Sequence, residues 1–85
     1  MAAYKVFFKK SVEKDFRGIP KKDVKKILHR IKMLEGNPRP PGCEKLTGQE
    51  RYRLRQGGYR IVYSIQDDEL IVWVVKVAHR KRAYR

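Results

Sequence analysis

The sequence predicts an α+β fold in the order β-α-α-β-β-β, with two N-terminal helices packed on one face of a mainly antiparallel four-stranded sheet. Three observations carry that reading. Between positions 20 and 34 apolar residues recur at three and four, as one side of a helix requires. Between 51 and 55 they alternate with arginine, as a half-buried strand requires. Beyond that, glycine and acidic clusters divide the second half into strand-length pieces.

Each element follows from its residues. Tyr4-Lys5-Val6-Phe7-Phe8 is aromatic and β-branched and reads as the first strand. Ser11 is placed to cap a short helix in which Val12, Phe16 and Ile19 share a side, and Gly18 and Pro20 end it. Pro20 suits the first turn of a second helix. There Val24, Ile27, Leu28, Ile31 and Leu34 form the apolar stripe, opposite Lys25, Lys26, Arg30 and Lys32. Gly36, Asn37 and Pro38 stop it. The run from Asn37 to Gly42 suits neither helix nor central strand, so it is expected to be a stiff surface connection.

In the second half, Tyr52 and Leu54 take one parity while Arg51, Arg53 and Arg55 take the other. Gln56-Gly57-Gly58 supplies a tight hairpin, Tyr59 to Gln66 the return strand, and Asp67-Asp68-Glu69 the next turn. Leu70 to Val77 is apolar enough for the sheet centre. Each half is about 40 residues, near the lower limit for folding alone, so residues 1–85 are expected to share one core as a single domain.

The balance of 22 Lys+Arg against 9 Asp+Glu gives a formal net charge of +13, which calls for a polyanion or an acidic protein as partner. A hydrophobic fraction of 41% is too high for a disordered basic tail. No apolar run approaches the ~18 residues of a membrane span, and the N-terminus lacks the apolar core of a secretory signal. Cys43 is the sole cysteine, and the two histidines stand far apart, so neither an internal disulfide nor a zinc site is expected. Glycine-rich phosphate loops, nucleophile elbows and dinucleotide fingerprints are missing as well. The expected protein is cytoplasmic, free of membrane, and without metal or small-molecule cofactor.

The type of cation changes along the chain. Residues 1–43 carry nine Lys and three Arg, while residues 44–85 carry seven Arg and three Lys. Helical lysines are ordinarily a solvated face. Arginine binds phosphate bidentately and stacks on bases, so the sheet arginines are the better nucleic-acid candidates. At period two, Arg51, Arg53 and Arg55 should project roughly 6 to 7 Å apart from one side of a strand. Arg60 begins the adjacent strand, and His79-Arg80-Lys81-Arg82-Ala83-Tyr84-Arg85 follows the central one.

These residues, in this order, resemble the RelE/ParE toxin superfamily of bacterial and archaeal toxin–antitoxin modules, and the RelE-like mRNA endoribonucleases best. The resemblance runs through Lys45-Leu46-Thr47-Gly48, Tyr52-Arg53-Leu54-Arg55, Gly58-Tyr59-Arg60-Ile61-Val62-Tyr63, and Val77-Ala78-His79-Arg80 leading to Tyr84. It implies a ribosome-dependent nuclease that cuts mRNA in the A site and is restrained by an acidic antitoxin. By similarity, Arg51, Arg53, Arg60, Arg80 and Tyr84 are the catalytic candidates. Arg55, Lys45, His79, Lys81 and Arg82 join them as RNA contacts. Some relatives carry lysine at the positions of Arg51 or Arg53, and this chain stops just after Tyr84.

Metal-free cleavage of RNA needs in-line attack by a 2′-OH, charge stabilisation at phosphorus and two proton transfers. Arginine can clamp phosphate and stabilise charge but is a poor base, so the general base stays open. His79 has the right ordinary pKa, yet parity groups it with Val75 and Val77, opposite Lys76. Tyr84 could stack on a base or move a proton, or be a terminal aromatic with neither role. Two other readings share the fold: a ParE-like inhibitor of DNA gyrase, and a basic RNA-binding module without activity.

Overall fold

In the computed structural model, which describes residues 3–46, 48 and 50–79, seven elements follow one another. They are β1 (Lys5–Phe8), α1 (Lys10–Arg17), α2 (Lys21–Met33), β2 (Glu44–Lys45), β3 (Arg51–Gln56), β4 (Tyr59–Gln66) and β5 (Ile71–His79). The sheet order is β1-β5-β4-β3-β2. β1 runs parallel to β5, and the other three pairs are antiparallel. The sheet is thus mainly antiparallel as expected, but it has five strands rather than four. β2 is only two residues long, too short for any alternation to announce it.

Both helices cover the same face. Val12 from α1, Ile27 and Ile31 from α2, and Leu34 just beyond it meet Leu54, Ile61, Tyr63, Val72, Val74 and Val77 in the core. Every one of the sheet residues in that set belongs to one side of the pleat, as the cross-strand partners Leu54–Ile61, Ile61–Val77 and Tyr63–Val74 require. The arginines of β3 alternate with them and therefore project from the side opposite the helices, which no helix among the described residues covers.

Local expectations needed four corrections. Ser11 does not cap α1; the N-cap is Lys9, with extended backbone and no side-chain cap. Its N–H still bonds the Val74 carbonyl at 3.0 Å, so the residue that ends the sheet pairing of β1 also begins the helix. Leu28, placed on the apolar stripe, is exposed, because α2 buries a stripe only wide enough for Ile27, Ile31 and half-buried Val24. The last strand is shifted: Leu70 sits in the preceding turn with a positive φ of 56°, and β5 continues to His79. The connection from Asn37 to Gly42 is not wholly on the surface, since Pro38 is buried and its carbonyl accepts the Tyr63 hydroxyl at 2.8 Å.

β5 also carries a bulge. Val62 pairs with Lys76 and Tyr63 with Val74, so Val75 is an extra residue without a partner in β4. On one side of it, odd-numbered Val77 and His79 face the helices. On the other, even-numbered Val72 and Val74 do, and Trp73 is sent to the uncovered face.

Candidate nucleic-acid interface

The uncovered face is a grid of side chains fixed by strand register. One row across the strands holds Arg55, Arg60 and Ala78. The next holds Glu44, Arg53, Val62 and Lys76. A third holds Arg51, Ser64, Trp73 and Phe7. Neighbouring strands lie about 4.8 Å apart and alternate residues of one strand roughly 6 to 7 Å apart. Arg51, Arg53, Arg55 and Arg60 therefore share one face, with Arg55 beside Arg60, Arg53 one row away and Arg51 two, and Lys76 two strands from Arg53.

The hairpin sets this arrangement. Gly57 adopts φ +60°, which the tight β3–β4 turn needs, and the resulting register puts Arg55 directly opposite Arg60. Like charges directly opposite across a ladder repel, a cost that an anion lying over both would reverse. Arg60 is 8% exposed, the only charged residue in the buried class among the described residues. Arg51 and Arg55 are exposed. Arg53 is half-buried and its guanidinium donates to the Glu44 carboxylate at 2.5 Å. Glu44 is the only acidic residue in the five strands. Sequence reading did not single it out, because only β2 pairing reveals that it stands beside Arg53. Lys76 was visible as a lone charge in an apolar run, but its place on the arginine face depends on the bulge.

The other candidates lie elsewhere. Lys45 pairs with Tyr52 and so takes the opposite parity from the arginines, with its ammonium 3.9 Å from Glu50. His79 pairs with Tyr59, its ring edge-on to the phenol at 5.2 Å between centroids. It lies on the helix side of the sheet, lining a cleft of about 510 Å3 with Lys14, Asp15, Tyr59 and Val77. There the Asp15 carboxylate accepts the Val77 N–H at 3.1 Å, beyond the end of β1 where β5 has lost its neighbour. Arg80, Lys81, Arg82 and Tyr84 lie outside the described residues, as does Thr47 of the Lys45–Gly48 stretch. Among the described residues no three His, Cys, Asp or Glu gather to hold a metal ion, and no helix is long and apolar enough to cross a membrane.

A polar cluster lies at the sheet's other end. Arg39, in the connection after α2, donates to both carboxylate oxygens of Asp67 at 3.2 and 2.9 Å and to the Tyr52 hydroxyl at 3.2 Å. Tyr4 donates to the same carboxylate at 2.7 Å. Hydrogen bonds from Arg39 first, and from Tyr4, hold the Asp67 carboxyl below the usual range; accepting that bond, Asp67 in turn raises the Tyr4 phenol. Burial pushes the Tyr63 phenol up, consistent with a neutral hydroxyl donating to Pro38. The start of β1, the connection, β3 and the β4–β5 turn are thereby tied together. Asp67, expected only as a turn former, is the hub.

Comparison with known proteins bears on this arrangement. A family model described as the ParE toxin of type II toxin–antitoxin systems, parDE, matches residues 6–84. The chain is 31% identical over 86 residues to a protein of Methanocaldococcus jannaschii named as a candidate toxin RelE1, covering 96% of each. Its structure is similar to the archaeal RelE–RelB complex from Pyrococcus horikoshii OT3, with a TM-score of 0.83, 30% identity, and coverage of 94% of this chain and 98% of that one. It is also similar to the isolated Escherichia coli RelE toxin, with a TM-score of 0.77, 26% identity, and coverage of 96% and 92%.

Proposed function

The chain belongs to the RelE/ParE family of toxins from type II toxin–antitoxin systems, and from that premise we propose that it is a ribosome-dependent endoribonuclease that cuts mRNA in the A site. The observation that carries the reading is the sheet face opposite the helices, on which strand register gathers Arg51, Arg53 and Arg55 with the buried Arg60. A gathering of guanidinium groups suits a phosphodiester.

In the proposed reaction the 2′-oxygen attacks the adjacent phosphorus as its proton leaves. The bond to the 5′-oxygen breaks, and that oxygen takes up a proton. The products are a 2′,3′-cyclic phosphate and a 5′-hydroxyl, with no water consumed. Arg53 and Arg60 clamp the phosphate and stabilise the charge that builds on its oxygens, while Arg51 and Arg55 hold the flanking backbone. The proposal adds Arg80 and Tyr84 to these residues, on the resemblance of the Val77-Ala78-His79-Arg80 stretch and of Tyr84 to the family. Arginine does not accept the 2′-OH proton at neutral pH, so orientation by the ribosome is part of the proposal. Binding by an acidic antitoxin, as the RelE–RelB complexes suggest, would cover this charge. The place of action is accordingly the cytoplasm.

Primer extension on an mRNA under translation tests the reading. Wild type should give cuts within codons, and none on the same RNA without ribosomes. Wild type that leaves translated mRNA whole would refute it. Because the matching family model is that of ParE, a gyrase supercoiling assay is run beside it. Loss of supercoiling with intact mRNA would assign the chain to gyrase inhibition.

A further inference from the structure

The arginines occupy only part of the uncovered face, and its far end has a different chemistry. Phe7 and Trp73 are partners across β1 and β5, with ring centroids 5.2 Å apart and planes 33° apart. Phe7 is 42% exposed. The Lys9 ammonium lies over the Trp73 ring at 4.8 Å, and Lys5 projects from the next row of the same face. Nothing in the core requires two aromatic rings here, since the buried residues of these strands, Val72, Val74 and Val77, face the other way. Trp73 is on this face because Val75 shifts the pleat of β5, Phe7 because β1 pairs it with Trp73, and the same row leads through Ser64 to Arg51.

We propose that Phe7 and Trp73, rimmed by Lys5 and Lys9, form a stacking platform that holds a nucleobase of single-stranded RNA running off the arginine cluster. The inference rests on the endoribonuclease reading and extends its site by a base-binding end. From β3 to β1 the path crosses three strand spacings, about 14 Å. Flat rings interleaved with cations are what single-stranded nucleic acid engages, its bases on the rings and its phosphates on the ammonium and guanidinium groups. An acidic peptide would find the same cations but has no use for two offset ring faces. The carboxylate-poor strands favour an anionic occupant along the whole path: Glu44, at the opposite edge, is their only acid.

Trp73 is the only tryptophan of the chain, so its emission reports the platform directly. Wild type is titrated with an eight-nucleotide 2′-O-methyl oligoadenylate, which cannot undergo 2′-attack, and in parallel with inorganic polyphosphate and with polyglutamate. The expected result is quenching by the oligoadenylate, little change with polyphosphate, and about five-fold or greater loss of oligoadenylate affinity in Phe7→Ala with the salt dependence unaltered. Phe7→Leu, which keeps apolar bulk without a stacking ring, should show a similar loss and guards against a folding defect. Equal responses to polyphosphate and oligoadenylate, or unchanged affinity in Phe7→Leu, would overturn the platform. A response to polyglutamate alone would reassign the rings to a protein contact. Because the ligand is uncleavable, quenching without any cut in translated mRNA would sink the nuclease and leave the platform standing. Cutting without quenching would do the opposite.

Discussion

Among single residues, Asp67 has the widest reach. One exposed carboxylate receives Arg39 and Tyr4, from two segments that are distant in sequence, and through Arg39 it steadies Tyr52 on β3. Its pKa is lowered in the folded chain, first by the hydrogen bonds from Arg39. The native state therefore holds that proton more weakly than the unfolded chain does. The clamp's contribution is complete above the ordinary aspartate pKa and disappears as pH falls through the lowered value. Asp67→Asn should lower the melting temperature at neutral pH, with the gap to wild type closing as pH falls below about 4. Thermal melts at stepped pH check this; a gap that stays constant down to pH 2 contradicts it. On the opposite face of the sheet Arg53 is held in a similar way, its guanidinium fixed by the Glu44 carboxylate with the side chain 23% exposed.

At the scale of elements, the hairpin and the bulge decide which side chains reach the site. Gly57 has open space where a Cβ would go, so Gly57→Ala carries only the backbone cost of its positive φ, about 1 to 2 kcal/mol in urea unfolding. A neutral result would mean that the turn relaxes without loss. The bulge is the more consequential feature. Deleting Val75 would restore strict alternation along β5 and force either Val72 and Val74 or Val77 and His79 to the wrong face. Exposing Val72 and Val74 costs roughly 3 to 6 kcal/mol and exposing Val77 roughly 1.5 to 3, with the loss of the His79 contacts besides, a large share of the stability of a small domain. The deletion should abolish cooperative unfolding, and a cooperative transition at the wild-type midpoint would refute the register given for β5.

Across the whole molecule, one face of the sheet holds the core while the other carries the arginines and, toward β1, Phe7 and Trp73. Much of that division is legible in the sequence, because it comes from local periodicity. Period two separates Arg51, Arg53 and Arg55 from Tyr52 and Leu54, and a glycine turn carries Arg60 back beside Arg55. What could not be read depends on contacts remote along the chain: the parallel pairing of β1 with β5, the two-residue β2 that brings Glu44 to Arg53, and the Arg39–Asp67 clamp. Trp73 was hidden for a related reason, since straight alternation from Val77 would have turned it inward. The central claim is that the arginine face holds the scissile phosphate. Single-turnover cleavage of mRNA in a programmed ribosome tests it most directly, using Arg53→Ala, Arg60→Ala and Arg60→Lys chains that melt like wild type. Losses of about 100-fold or more in the alanine chains, with partial recovery in Arg60→Lys, are predicted. Wild-type rates in both alanine chains would contradict the account.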